Sequence, residues 1–118
     1  MSLFRAVPLA IHGVVEIIAA PVLIAAPFVL GFGAAAGAAS IALGAMLMGL
    51  ALATHGEQRT IPITAHAGFD YLIGILAIVT GLVLSFGEAP LVATAFLVGF
   101  GAAHMALTAS TRFSVRGA

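Results

Sequence analysis

Apolar residues run almost unbroken through four stretches of the chain, and polar residues fall at the ends of those stretches or at helical spacing inside them. The stretches cover about residues 8–30, 37–54, 62–84 and 90–110, each close to the roughly 20 residues that a helix needs to cross a bilayer. Gly31-Phe32-Gly33, the polar connection His55-Gly56-Glu57-Gln58-Arg59-Thr60, and Ser85-Phe86-Gly87-Glu88-Ala89 separate them. Pro8, Pro62 and Pro90 stand at helix starts, where a missing backbone N–H costs nothing. Pro21 and Pro27 lie inside the first stretch, and each removes a helical hydrogen bond, so a bend is expected there. The pattern predicts an all-α protein, a single integral-membrane four-helix bundle over residues 1–118.

Composition agrees. The chain is 63% hydrophobic and carries four Arg, no Lys and four acids, too little charge to coat a soluble domain. Without Cys there are no disulfides and no thiolate metal sites. Zero formal net charge and no basic cluster argue against a nucleic-acid partner and leave the lipid bilayer as the expected surroundings. The N-terminal run imitates a signal peptide, but His12, Glu16, Pro21 and Pro27 would interrupt its apolar region, so cleavage is not expected. Arg5, Arg59, Arg112 and Arg116 all fall on one side of the four-span layout, which by the positive-inside rule places both termini in the cytoplasm.

Polar residues also recur at a fixed offset. Pro8, His12 and Glu16 are followed 54 positions later by Pro62, His66 and Asp70, and Phe32-Gly33 by Phe86-Gly87 in the same register. Leu43 aligns with Leu97 and Thr54 with Thr108. The chain is therefore expected to hold two tandem parallel helical-hairpin repeats, about 8–54 and 62–108, related by a pseudo-two-fold axis along the membrane normal. Small residues at four-residue steps suit close helix packing: Ala36, Ser40 and Gly44; Ala45, Gly49 and Ala53; Ala77, Gly81 and Ser85; Ala95, Gly99 and Ala103.

His12 and Glu16 share a helix face, as do His66 and Asp70. Counting from the helix starts sets both His roughly 6 Å below the cytoplasmic boundary, with the acids one turn deeper. His104, near the end of the last helix, reaches a similar depth; His55 and Glu57 stand just above this layer and Tyr71 adjoins it in sequence. Ionisable groups at that depth belong in the bundle interior with partners and are functional candidates.

Four readings compete. The first is a hydrogen-bonded lock, in which His12 meets Asp70 and His66 meets Glu16 across the pseudo-two-fold. The second is a transition-metal site drawing on His12, Glu16, His66, Asp70 and His104, since facing helices of bundles build such sites. The third is haem b with His12 and His66 as axial ligands and Arg5, Arg59 and Arg112 near the propionates. Against it, Glu16 and Asp70 would lie beside an apolar macrocycle. The fourth is transport of a proton or small cation. Ser40, Ser85 and Ser110 have no His and acid at triad spacing, so nucleophilic catalysis finds no support.

Around Pro27 and Gly31-Phe32 the chain resembles the bacterial SPW-repeat membrane proteins, whose units end a helix in a Ser-Pro-Trp-like turn followed by Gly-Phe. Ala26 and Phe28 replace the Ser and Trp, and the second copy keeps only Phe86. The resemblance implies a duplicated four-span protein of a bacterial inner membrane with no assigned activity. The expectation is a non-enzymatic binding or assembly module, with a homo-oligomer or another membrane protein as partner, and a metal- or haem-binding bundle as the alternative.

Overall fold

The computed structural model describes residues 5–55 and 60–113. Four helices carry nearly all of it: α1 (Leu9–Leu30), α2 (Ala34–His55), α3 (Ile63–Leu84) and α4 (Leu91–Ala109). Pro8, Pro62 and Pro90 cap α1, α3 and α4 in extended conformation, each with φ held between −60° and −67° by its ring. α1 continues without a break through Pro21 and Pro27 and stops at Gly31, whose left-handed φ of 69° returns its N–H to the Pro27 carbonyl. The predicted spans agree within a few residues, except that α2 begins three residues early, at Ala34.

Among the described residues the outward helix faces are apolar and the His and acid side chains of α1 and α3 are inside, the reverse of a soluble bundle. Ile11, Val14, Ile18, Phe28 and Val29 of α1 face outward, as do Leu72, Val79 and Val83 of α3, while His12, Glu16, His66 and Asp70 are buried. All four helices are long and apolar enough to cross a membrane, and the chain is a multi-pass membrane protein on that basis. α1 packs on α2 and α3 on α4 as two hairpins, α2 and α3 join the hairpins, and α1 meets α4 over a smaller contact.

Below the polar residues, Ala20, Leu23, Leu47, Ile73, Ala77 and Leu97 form the main apolar core. At the far end Phe32 packs with Ala26, Ala36 and Ala93. The two halves of the chain part company there: Phe32 is 1% exposed and Phe86 is 92% exposed, and Gly33 has a positive φ where Gly87 does not. Pro27 and Gly31-Phe32 thus have a local cause, a left-handed helix end that turns Phe32 inward.

Small residues divide into two groups. Ala36, Ser40 and Gly44 face α1, where the Ser40 hydroxyl donates to the Leu23 carbonyl at 2.6 Å. Ala77 and Gly81 also face inward. Ala45 and Gly49 on α2, and Ala95, Gly99 and Ala103 on α4, instead lie on the outer surface, so their spacing does not serve packing within the chain. The tightest crossing is α3 on α4, where a Cβ on Gly101 would stand 2.5 Å from the Gly74 carbonyl oxygen and 2.6 Å from Ile78. Gly101→Ala must therefore separate two backbones, and a loss of about 1–3 kcal/mol is expected in thermal melts in detergent. Gly99→Ala, which meets open space, should leave the melt unchanged.

Two short strands tie the segment before α1 to the segment after α4. β1 (Val7–Pro8) pairs in parallel with β2 (Thr111–Arg112), matching Val7 with Thr111 and Pro8 with Arg112. The Val7 N–H also donates to the Ser110 carbonyl at 2.9 Å. This clasp lies over the end of the bundle where the polar residues are buried.

Candidate metal centre

One helical turn inside that end, α1 and α3 each present a His and an acid on the inward face, because residues four apart share a face. The Nε2 atom of His12 lies 2.8 Å from Glu16 Oε1 and 2.9 Å from Asp70 Oδ2. The Nε2 atom of His66 lies 3.1 Å from the same Glu16 oxygen and 3.0 Å from the same Asp70 oxygen. Each histidine reaches both the acid of its own helix and the acid of the other. Two nitrogens and two oxygens thus close a four-membered ring, N–O–N–O, with every side between 2.8 and 3.1 Å. The side chains of all four residues are fully buried.

Further groups surround the ring. His104 is not a corner of it: its Nε2 lies 3.3 Å from Asp70 Oδ1, the oxygen that faces away, and its imidazole stacks on Phe100 at 5.4 Å. His12 Nδ1 lies 2.8 Å from the Thr111 hydroxyl. The Phe113 ring stands edge-on to His12 at 5.1 Å and 6.1 Å from His66, covering the ring from the chain-end side. On the opposite side the inward faces of α1 and α3 continue only with Ala20, Leu23, Ala26 and Pro27, and with Ile73, Gly74, Ala77 and Gly81.

Sequence reasoning thus finds the four ring residues and the cross-helix contacts. It places His104 at the right depth but one atom beyond the ring. Tyr71, adjacent in sequence to Asp70, points outward at 37% exposed. The His55 side chain and Glu57 lie outside the described residues. Thr111 and Phe113 are missed, since both follow the last helix and neither carries a periodic or motif signal. No family model, curated protein or solved structure matches the chain.

Proposed function

We propose that this protein is a small membrane bundle that binds one divalent transition-metal ion of the zinc or ferrous class between His12, Glu16, His66 and Asp70. The observation that carries the reading is convergence. A lock of two His–acid pairs needs two contacts, each with its own proton. Here four contacts share two Nε2 atoms, and each Nε2 carries at most one hydrogen, so any hydrogen bond within the ring is shared between two partners rather than confined to a pair. The four atoms gather in one cluster within 4.8 Å of one another rather than in two separate pairs.

Size and charge support the same ion. The four donor atoms lie within 4.8 Å of one another, close enough for side-chain adjustment to bring each to the roughly 2.0–2.2 Å of Zn–N and Zn–O bonds. A tetrahedral ion needs all six donor–donor separations at about 3.3 Å, so loading would lengthen the four sides slightly and draw the more widely separated atoms together. Two carboxylates and two neutral imidazoles around a divalent cation sum to zero charge, which is the arrangement a membrane interior tolerates. Imidazole and carboxylate donors suit zinc and iron and disfavour the thiophilic cuprous ion. His104 then stands outside the ligand set, its Nε2 3.3 Å from the far oxygen of Asp70.

The alternatives fit less well. Haem on His12 and His66 would need its macrocycle where Glu16 Oε1 and Asp70 Oδ2 stand, within 3.1 Å of both imidazoles. Permeation would need a polar path beyond the ring, and the inward faces of α1 and α3 are apolar from Ala20 and Ile73 onward. Arg5 and Arg112 are exposed at the ring's end, which favours a cytoplasmic orientation for it and for both termini.

Cobalt(II) titration of protein purified in mild detergent and stripped of metal tests the reading. The expected result is one Co(II) per chain with a visible ligand-field band of four-coordinate type, displaced by zinc and abolished in His66→Ala. Protein that stays colourless with cobalt and retains no zinc, yet melts at a lower temperature as His66→Ala, would establish the lock instead.

A further inference from the structure

A metal ion between the four side chains requires His12 to present a bare Nε2 to the centre rather than an N–H. Imidazole has two ring nitrogens, and in the neutral ring one carries the hydrogen. A ligand needs that hydrogen on the outer nitrogen, Nδ1, and proteins secure this with an acceptor outside the ligand set. We propose that Thr111 is the positioning residue for His12, its hydroxyl accepting the Nδ1–H and so holding Nε2 as the metal-facing donor. The proposal rests on the metal-binding reading for its consequence but not for its geometry.

The hydrogens available fix the direction of the bond. The Thr111 hydroxyl has one hydrogen, and the Leu107 carbonyl oxygen, which only accepts, lies 2.6 Å away. That hydrogen goes to Leu107. At 2.8 Å from His12 Nδ1 the hydroxyl therefore offers a lone pair, and Nδ1 must supply the hydrogen. The opposite arrangement would set two lone pairs against each other at 2.6 Å with no hydrogen between them. Thr111 is fully buried, so water does not compete for either contact.

The fold brings this residue to the site from the far end of the chain. Thr111 lies beyond α4, in β2, where pairing with Val7 returns it over the start of α1 and hence over His12. The hydroxyl of Thr108, one turn earlier, is directed instead to the His104 carbonyl at 2.9 Å. The segments before α1 and after α4 thus meet over the site, and a group 99 residues from His12 sets the hydrogen on it.

The test combines ring-nitrogen NMR with zinc affinity, using protein labelled with nitrogen-15 at histidine and the His12 signals assigned by their loss in His12→Asn. In the wild type, His12 Nδ1 is expected to carry a hydrogen both with and without zinc. Thr111→Val keeps the shape and removes the acceptor; His12 should then lose its fixed Nδ1–H, and zinc affinity should fall about 10–100-fold. Thr111→Ser should restore both. A wild-type spectrum with hydrogen on Nε2 alone overturns the proposal without any variant having to fold. So does a folded Thr111→Val protein with unchanged His12 signals and zinc affinity. If the wild type binds no zinc, the metal-binding reading fails by itself, and the Nδ1 signals in the metal-free protein still decide the role of Thr111.

Discussion

Asp70→Asn is expected to lower zinc affinity at least about 100-fold, roughly 3 kcal/mol, and to destabilise the metal-free bundle as well. Asp70 faces all three histidines of the layer, Oδ2 lying against both His12 and His66 and Oδ1 against His104. The amide keeps the shape but removes one of the two negative charges. A divalent ion bound by the remaining groups would leave a net buried charge of one, which the apolar surroundings oppose. In the metal-free protein the same change breaks a buried network by deleting one partner, for which a loss of about 3–5 kcal/mol is usual. Zinc competition against a chromophoric chelator measures the first effect and thermal melting the second. Glu88→Gln, at an exposed acid of the opposite end, should move neither.

The second large effect is stabilisation by the ion itself. A ligand that binds only the folded state at 100 times its dissociation constant stabilises it by about 2.7 kcal/mol, so zinc should raise the melting temperature and a chelator should reverse the rise. His66→Ala should cancel the zinc-dependent increment even if the bundle still folds. Acidification opposes the ion, because each ligand imidazole must be free of a proton on Nε2 before it can bind. The zinc increment is therefore expected to shrink as pH falls. A purely structural lock would show no increment at any pH, so the melts distinguish the two readings.

Much of this is legible in the sequence because the membrane restricts the options. Apolar runs of spanning length can only be helices, and Pro8, Pro62 and Pro90 mark their starts. His12 with Glu16 and His66 with Asp70 are legible from i,i+4 spacing and equal depth. What spacing does not supply is which atoms meet. Depth alone allows two separate His–acid pairs as readily as a closed ring, and it places His104 beside His12 and His66 without saying that it touches only the outer oxygen of Asp70. Thr111 and Phe113 are hidden for another reason: they reach the site through a two-residue strand pairing between the segment before α1 and the segment after α4, a contact with no local signature. The small-residue stripes look alike in the sequence, because spacing identifies a face but not whether a neighbour covers it. Ala36, Ser40 and Gly44 have one; Ala95, Gly99 and Ala103 do not.

In the proposed site two imidazole nitrogens and two carboxylate oxygens surround one divalent ion. X-ray absorption fine structure at the zinc edge, on protein loaded with one equivalent, reads that shell directly. The expected result is four nitrogen and oxygen neighbours at about 2.0–2.1 Å, with the outer-shell scattering of two imidazoles. A six-oxygen shell without imidazole scattering, or protein that retains no zinc after desalting, would contradict it.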